Sequence, residues 1–515
     1  MIAPSSTAPR TLGQLLDALP GDANAALVDG DPQAALADLR DDSRQVRPGS
    51  AFIAVPGLAN DGHDFLPQAT AAGAALLIVD RAIFAGIGHA SPVPRLELDD
   101  IARFVPELAA TWYGWPGDRL RLAGITGTNG KTTTAHLLAA ILRQAGRPHL
   151  RLGTTGNWLV DHESRAGFTT PFPVELQGLL ARAVTAGATD AVMEVSSHAL
   201  DQRRIAPLRY QAAGLTSFSQ DHLDYHPSMA AYLEAKCLLA RCYLDPQGVA
   251  VAPREQGEAS EAFLRAAAEA GVTRRWTTAR EPDPQAQIHV LESLPPASPD
   301  GTTVFGTAVR VATPAGTLEL RSPLVGAFNL DNLLVTVGLA LGLELELPTI
   351  AAALATTSGA PGRLEPLRVP GAPLVYVDYA HTPDAVARSL EALRPSTRGR
   401  LIVLLGCGGD RDPSKRPLMG RIAGDGADLF YATSDNPRTE DPEAIIDQML
   451  AGVAPGRPVV READRGRAIA AAIAEAGVDD VVLVAGKGHE DYQIIGERTI
   501  AFSDREHALT ALRGR

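Results

Sequence analysis

The chain has 515 residues, a formal net charge of -13, a pI near 5.4 and three cysteines. Its length suggests about three domains, and its negative charge repels polyanions, which argues against a nucleic-acid partner and against binding to an anionic membrane. The cysteines form no metal-ligand spacing and there is neither a signal-peptide pattern nor an apolar run of about 18 residues, so we expect a cytoplasmic protein without membrane insertion.

Strand-like apolar runs alternate with Ala- and Leu-rich helical stretches along the chain, which predicts an α/β fold with parallel sheets. Clear strand patterns lie at 74–80, 190–197 and 480–488. Gly- and Pro-rich segments near residue 100 and at 356–367 indicate boundaries. We therefore predict three domains: residues 1–100, 101–358 and 359–515.

A glycine-rich loop, "GITGTNGKTTT" at 124–134, follows a short apolar run and precedes apolar residues at helical spacing. Its glycines do not have the usual phosphate-loop spacing. A strand, a loop and a helix N-terminus in this order nevertheless predict an ATP site with Mg²⁺, in which backbone N–H groups and a lysine meet the phosphates. The predicted nucleotide residues are Gly127, Thr128, Asn129, Gly130, Lys131, Thr132 and Thr133, with the Thr132 hydroxyl on the metal.

The role of three residues in the central region stays open when the residues are considered alone. Glu194 ends a predicted strand, where α/β sheets place ligands, but a carboxylate there can also cap a helix or pair with a lysine. His222 lies in a predicted loop, where a lone histidine is more often structural. The helical pattern "MAAYLEAK" makes Lys236 a solvated surface lysine on the residues alone.

Three loops of the last domain follow predicted strands and should converge at the carboxyl edge of one sheet. They are "LIVLLGCGGDRD", "DLFYATSDNPR" and "DVVLVAGKGHED". Arg411 and Arg438 can each grip a carboxylate with a planar guanidinium, and Glu490 can receive an ammonium group. Such a site suits an amino acid with two carboxylates.

Further motifs extend along the chain, in order "TTP" at 169–171, "MEVSSHAL" at 193–200, "DHLDYH" at 221–226, "YLEAK" ending at 236, "GAFNLDN" at 326–332, "GRLE" at 362–365, "DYAHTPD" at 378–384 and "GKGHEDYQ" at 486–493. Together with the glycine-rich loop they resemble the ATP-dependent Mur ligases and the related folylpolyglutamate synthetases. The resemblance implies a three-domain Mur ligase architecture, with a central P-loop ATPase-like domain and a C-terminal Rossmann-like domain.

The resemblance also implies an activity in cytoplasmic peptidoglycan precursor synthesis. An ATP-dependent ligase would add meso-2,6-diaminopimelate to UDP-N-acetylmuramoyl-L-alanyl-D-glutamate through an acyl phosphate, releasing ADP and phosphate. The "DNPR" motif accompanies diaminopimelate, whereas L-lysine enzymes lack its arginine. An L-lysine-adding ligase and a non-catalytic nucleotide-binding switch are the alternatives.

Several site roles follow from the resemblance alone. Lys131, Glu194, His222 and Lys236 would be catalytic, and Lys236, if carbamylated, would bind Mg²⁺ together with Thr132, Glu194 and His222. Further ATP contacts would be Asn329, Asn332, Arg363, Asp378 and His381. The UDP-muramoyl dipeptide would meet Ser43, Thr169, Thr170, Ser196, Gln202 and Arg204. Diaminopimelate would meet Arg411, Asp435, Asn436, Pro437, Arg438, Gly486 and Glu490.

Two positions depart from the family pattern. Relatives usually have Thr-Asn where this chain has Thr216-Ser217, and a glycine where it has Pro227. Neither change removes a charged ligand, so they affect the expected loop geometry more than the chemistry. The partners implied are small molecules only, and we expect a monomer.

Overall fold

The structure is a computed structural model that describes residues 11–17, 19, 21–57, 60–87, 91–296 and 306–515. Contacts divide the chain into two compact units. The first comprises the chain up to residue 131 together with 142–277 and 338–345, and the second comprises 132–141, 278–337 and 346–515. No helix within the described ranges is long and apolar enough to span a membrane.

Up to residue 269, helices are interspersed among short strands. The strands are β1 (Ala26–Val28), β2 (Asp38–Arg40), β3 (Ser50–Ile53), β4 (Leu76–Asp80), β5 (Arg95–Leu98), β6 (Arg121–Thr126), β7 (His149–Leu152), β8 (Asn157–Leu159), β9 (His162–Ser164), β10 (Asp190–Glu194), β11 (Tyr210–Leu215) and β12 (Leu244–Pro253). The helices are α1 (Leu12–Asp17), α2 (Leu66–Ala71), α3 (Arg81–Ile87), α4 (Ile101–Tyr113), α5 (Lys131–Gln144), α6 (Pro173–Thr185), α7 (Ser197–Asp201), α8 (Met229–Leu238) and α9 (Glu258–Glu269).

The first sheet has five strands in the order β1-β5-β4-β3-β2, and only β1 is antiparallel to its neighbour. Successive residues of β4 alternate between two apolar clusters, with Leu76 and Ile78 in one and Leu77 and Val79 in the other. A strand that is apolar on both faces is typical of a parallel sheet that is covered on both sides. Helix α4 packs in the first of these clusters.

The second sheet of this unit carries the glycine-rich loop. Its strands follow the order β12-β11-β6-β10-β7, all parallel, with the short antiparallel strands β8 and β9 next to β7. Parallel strands end at the same edge, so the residues after β6, β10 and β11 lie near one another. The register confirms this, because Glu194 pairs with Ile125 and Leu215 pairs with Thr126.

After residue 270, strands come first and then mix with helices. The strands are β13 (Arg274–Ala279), β14 (Ile288–Ser293), β15 (Thr307–Thr313), β16 (Gly316–Ser322), β17 (Glu365–Leu367), β18 (Leu374–Asp378), β19 (Leu401–Leu405), β20 (Leu429–Ala432), β21 (Val459–Arg461), β22 (Val481–Ala485), β23 (Tyr492–Ile495) and β24 (Arg498–Ala501). The helices are α10 (Ala327–Gly342), α11 (Leu347–Thr356), α12 (Pro383–Leu393), α13 (Lys415–Gly426), α14 (Pro442–Leu450), α15 (Arg465–Glu475) and α16 (Asp504–Arg513).

In the second unit, β14, β15 and β16 pair antiparallel, and a six-stranded sheet has the order β17-β18-β22-β19-β20-β21. All strands of the six-stranded sheet are parallel except β17. Along β19, Leu401, Val403 and Leu405 lie in one apolar cluster and Ile402 and Leu404 in another, so this sheet too is covered on both faces. The predicted α/β fold with parallel sheets is confirmed.

A fully buried ion pair holds the carboxyl edge of the six-stranded sheet. Arg465 Nε and Nη2 each donate to a different oxygen of Asp504 at 2.7 Å, and neither side chain is exposed. The same guanidinium donates to Ser434 O at 3.2 Å and Ala485 O at 2.9 Å. It thereby fixes the chain just after β20 and at the end of β22, immediately before two of the predicted substrate loops.

Removing the carboxylate of Asp504 should therefore destabilise the second unit strongly. We expect Asp504→Ala to cost about 3–5 kcal/mol, because it leaves Arg465 buried and unpaired. The exposed pair Arg388–Asp384 on α12 provides a matched control, and Asp384→Ala should cost about 0–1 kcal/mol. Calorimetric melting of the full chain measures both, and equal losses would contradict the assigned importance of the buried pair.

Candidate active site

The glycine-rich loop joins the end of β6 to the start of α5, as the sequence predicts. Gly127 and Gly130 have φ of +145° and +88°, conformations that favour glycine. Lys131 folds back over the loop, and its ammonium group donates to Gly127 O at 2.8 Å and Thr128 O at 3.0 Å. The loop is thus a compact turn with a cation above its carbonyls, at the N-terminus of a helix that favours anions.

Thr216 and Ser217 brace this loop from the end of β11. Thr216 Oγ1 donates to Thr126 O at 3.1 Å, and Ser217 Oγ accepts from Asn129 N at 2.9 Å. A Cβ at Gly127 would lie 2.1 Å from Thr216 Oγ1, so glycine is required there. The sequence marked these two residues only as a departure from the family pattern, and their part in holding the loop was missed.

Glu194 lies at the end of β10, as predicted, and is buried. Its two carboxylate oxygens accept hydrogen bonds from Thr154, one from the backbone N–H at 2.9 Å and one from the hydroxyl at 3.2 Å. Gly153 permits this approach, since a Cβ there would lie 2.1 Å from Glu194 Oε1. Thr154 carried no signal that sequence reasoning could use, because its contact crosses from one strand end to another.

Lys236 is buried, with 1% of its surface exposed, which corrects the solvated lysine that the helical pattern indicated. The alanines of α8 gave no contrast between a buried and an exposed face. Burial lowers the pKa of the Lys236 ammonium well below its ordinary value, and the nearby Lys131 cation lowers it further. The amine lies 4.2 Å from the ring centroid of Tyr232. Burial thus favours the uncharged amine of Lys236 over its ammonium form.

His222 lies in the loop after β11, with an unusual φ of +52°. Its ring lies 4.8 Å from that of His198, which in turn lies 5.7 Å from that of His226. Burial is the first cause that lowers the pKa of all three histidines, so their rings are neutral at pH 7 and can act as ligands. Within the described residues, no three His, Cys, Asp or Glu side chains are arranged to hold a metal.

Most predicted residues for the UDP-muramoyl dipeptide form one hydrogen-bonded network. Thr170 Oγ1 donates to Glu194 O and accepts from Ser196 N, and Thr169 Oγ1 lies 3.1 Å from Thr154 Oγ1. Gln202 and Arg204 join it, with Arg204 Nη1 donating to Thr170 O at 3.3 Å and Nε donating to Gln202 Oε1 at 2.8 Å. Ser43 belongs instead to the region of the first sheet, where its hydroxyl donates to Gln68.

Two aromatic rings hold Arg204 in place. Its guanidinium carbon lies 3.8 Å from the ring centroid of Phe172 and 5.8 Å from that of Phe168, and the two rings meet edge to face. Phe168 is 52% exposed. Both rings flank "TTP", but their contact with Arg204 was missed because it joins distant parts of the sequence.

In the second unit, Asn332 Nδ2 donates to Asn329 Oδ1 at 3.2 Å, so the two amides share one face of α10. Asp378 is buried at the end of β18 and accepts from Leu364 N and Ala380 N. Burial raises its carboxyl pKa, and the Arg363 cation opposes this. The Arg363 guanidinium stacks on Tyr379, whose carbonyl contacts the exposed His381 ring.

The predicted amino-acid site lies at the carboxyl edge of the six-stranded sheet. Arg438 Nη1 donates to Gly409 O at 2.7 Å, and a Cβ on Gly408 would lie 3.1 Å from Arg438 Nη1 and 3.8 Å from Arg411 Cγ. The loops that carry the two arginines are thus in contact. Pro437 is buried against Gly409, where a Cβ would lie 1.9 Å from Pro437 O.

A buried lysine that the sequence did not single out lies next to the predicted Glu490. Lys487 Nζ donates to Glu490 Oε2 at 3.0 Å and to Asn436 Oδ1 at 3.2 Å, and lies 4.0 Å from Asp435 Oδ1. Gly486 packs against the same Asp435, since a Cβ there would lie 2.6 Å from Asp435 Oδ2. One lysine therefore lies between two carboxylates, which leaves this corner with a net negative charge.

Family profiles match the chain along most of its length. The Mur ligase middle domain matches residues 125–340, the Mur ligase glutamate ligase domain matches 362–488, and the Mur ligase family catalytic domain matches 39–113. The chain belongs to the Mur ligase family. The family resemblance predicted from the motifs is confirmed.

Individual relatives of this Mur ligase are similar over nearly the whole chain. A protein of Gloeobacter violaceus named UDP-N-acetylmuramoyl-L-alanyl-D-glutamate--2,6-diaminopimelate ligase is 46% identical, over 93% of this chain and 94% of the relative. One of the same name from Parasynechococcus marenigrum is 43% identical over 98% of this chain and all of the relative. A solved structure of a ligase with that name has 31% identity and a TM-score of 0.68, covering 95% of this chain and 97% of its own.

The close approach of Glu194 to Gly153 gives a direct test of this part of the site. We expect Gly153→Ala to displace the carboxylate from Thr154 and to weaken Mg²⁺-dependent ATP binding about 10- to 100-fold, as loss of a ligand's supporting contacts does. The control is Gly86→Ala on α3, where a Cβ meets nothing within 4 Å. Titration calorimetry with ATP and Mg²⁺ measures the effect, and unchanged binding in both variants would contradict the role of Glu194.

Proposed function

We propose that this Mur ligase joins meso-2,6-diaminopimelate to the D-glutamyl carboxylate of UDP-N-acetylmuramoyl-L-alanyl-D-glutamate at the expense of ATP. The observation that carries the proposal is the position of Glu194. Its strand pairs with β6, which leads into the phosphate loop, and its carbonyl and its partner Thr154 contact Thr170 and Thr169 of the acceptor network. The names of the similar relatives supply the substrates.

The reaction needs a leaving group, because a carboxylate at pH 7 does not react with an amine. The γ-phosphoryl group of ATP passes to the acceptor carboxylate, giving an acyl phosphate and ADP. The diaminopimelate amine then attacks the acyl carbon, phosphate leaves, and the amide forms with loss of a proton. Both steps concentrate negative charge, so catalysis rests on positioning and electrostatic stabilisation rather than on an enzyme nucleophile.

The glycine-rich loop and the acceptor network would have different roles in this reaction. The N–H groups of residues 127–133 and the Lys131 ammonium would hold the ATP phosphates. Arg204 has five N–H donors, of which three are bonded to Gln202 and Thr170. Its remaining donors would bind an anionic group of the acceptor, and the stacked Phe172 would keep the guanidinium plane fixed.

Two of the predicted Mg²⁺ ligands offer oxygen atoms, which Mg²⁺ prefers. Glu194 offers a carboxylate held by Thr154, Thr132 offers a hydroxyl, and His222 offers a neutral imidazole. As an amine Lys236 fits poorly, but its lowered pKa leaves it nucleophilic toward CO₂, and the carbamate so formed, with release of a proton, has two oxygens. Bound there, Mg²⁺ would neutralise phosphate charge as a Lewis acid.

In the second unit, the predicted roles assign Arg411 and Arg438 to the carboxylates of diaminopimelate and Glu490 to an ammonium group. The negative corner formed by Asp435, Lys487 and Glu490 supports the last assignment, because a buried net negative charge attracts a cation. Asn329, Asn332, Arg363, Asp378 and His381 remain assigned to ATP, with Arg363 held on Tyr379.

The carbamate is testable without turnover. With ¹³C-bicarbonate we expect one slowly exchanging carbamate signal in the ¹³C spectrum of the wild-type protein, lost in Lys236→Arg. Lys487 is an internal control, since it is equally buried but paired with Glu490, and Lys487→Arg should retain the signal. A signal that persists in Lys236→Arg would place the modification elsewhere, and no signal in the wild type would exclude it.

Substrate choice tests the proposed function itself. We expect phosphate release and product of the correct mass with ATP, Mg²⁺, the UDP-muramoyl dipeptide and meso-diaminopimelate, and little with L-lysine. Arg438→Ala should lose that preference, whereas Arg421→Ala, on the exposed surface of α13, should keep it. Equal use of L-lysine would favour the L-lysine-adding alternative, and no release with either amine would favour the nucleotide-binding switch.

The remaining expectations concern the state of the protein. A small-molecule ligase with three free cysteines and net charge -13 suits the cytoplasm, where both the nucleotide and the soluble precursor are present. We expect it to act as a monomer, which light scattering coupled to size exclusion measures directly.

A further inference from the structure

An ion pair joins the buried Arg416 to the partly exposed Glu440 in the loop after β20, and none of the predicted site residues explains it. Arg416, on α13, is 1% exposed, and its two terminal nitrogens each donate to a different oxygen of Glu440 at 2.8 Å. Arg416 also donates to Gln448 at 2.8 Å and to Gly408 O at 3.2 Å. The hydrogen bonds from Arg416 lower the pKa of Glu440 to about 2, so the pair stays ionised at any working pH.

Glu440 connects Arg416 to the loop after β19. Its Oε1 also accepts from Asp410 N at 2.6 Å, and the Asp410 carboxylate accepts from the backbone N–H and the hydroxyl of Thr439. Gly409 N donates to Asn436 O at 2.9 Å in the same interface. The segment "GCGG" would be costly to order without such contacts, because glycine loses the most backbone freedom on folding.

Arg438 is fixed by this arrangement from both sides. Its backbone, at a φ of +51°, donates to Ile494 O and accepts from Gly496 N, and its guanidinium donates to Gly409 O. The position of the Arg438 guanidinium therefore depends on the position of Gly409. Gly409 in turn lies between Gly408 and Asp410, the two residues whose backbone Arg416 and Glu440 hold.

We propose that the Arg416–Glu440 ion pair is a positioning pair that determines amino-acid specificity, because it fixes Gly409 and so presents the Arg438 guanidinium as a preformed fork for the substrate's second carboxylate. This rests on the proposed function. Neither residue touches the substrate. The pair removes the entropy cost of ordering the loop on binding, and preorganisation of this kind raises affinity and selectivity.

The competing explanation is purely structural, in which the pair only joins α13 to α14 through Gln448. The two explanations differ in what happens when both charges are removed together. Replacing both members of an ion pair by uncharged groups of similar shape often leaves stability unchanged, and here only the arginine is buried. A structural pair would then leave specificity intact, whereas a positioning pair would not.

The test compares Glu440→Gln and the double variant Arg416→Met/Glu440→Gln with the control Glu443→Gln, whose carboxylate pairs with Arg461 on the exposed surface of the same region. Steady-state kinetics give KM for diaminopimelate, KM for ATP and kcat, and thermal melting gives stability. We expect KM for diaminopimelate to rise about 10- to 100-fold in both variants, with KM for ATP within about twofold, and the preference over L-lysine to fall. Glu443→Gln should match the wild type.

Three results would decide against the proposal. The pair is structural only if the double variant melts like the wild type and keeps both its KM for diaminopimelate and its preference. The same holds if Glu440→Gln lowers only kcat and the melting temperature, leaves both KM values unchanged, and the double variant recovers both. If the wild-type protein ligates no diaminopimelate, the proposed function fails first, and that outcome is distinct because it appears before any substitution.

Discussion

The chemistry of both units depends on one geometric constraint, which is that parallel strands bring their carboxyl ends to a common edge. In the first unit this edge collects the phosphate loop after β6, Glu194 at the end of β10 and Thr216 after β11. In the second unit it collects the loops after β18, β19, β20 and β22. The parallel topology alone thereby brings together residues that are far apart in sequence. The side chains at each edge then determine what can bind.

Three buried basic side chains differ in how far their charge is compensated. Arg465 is matched by Asp504 with every contact satisfied, as a structural pair must be. Lys487 lies between two carboxylates, so these three side chains together keep an excess negative charge. Lys236 is buried near the Lys131 cation, and both lower the pKa of its amine. Burial is therefore the main reason that the free amine of Lys236 is favoured over its ammonium form.

The sequence predicted those features that depend on neighbouring residues. The helix predicted from Lys131 begins there and ends at Gln144, and Glu194 ends its strand, because apolar runs and glycines are local signals. The family and the fold class were also within reach, since many motifs occurred in order. Domain bounds and residue roles remain predictions. The burial of Lys236 and the contacts of Thr154 and Glu440 could not be predicted, because each depends on segments brought together only by folding.

The two apolar faces of the six-stranded sheet have a consequence for strand alignment. A strand with one polar face resists slipping by one residue, because the slip would expose its apolar side, but β19 is apolar on both faces and lacks this protection. Two carboxylates resist the slip of β19 instead. Asp480 accepts from Arg400 N at 2.6 Å, and Asp428 accepts from Leu401 N at 2.7 Å. A one-residue shift of β19 would break both bonds and would carry the loop that holds Gly409 about 3.3 Å along the sheet, a typical rise per residue. Two aspartates at the start of the strand thus keep the loop that contains Gly409 in register.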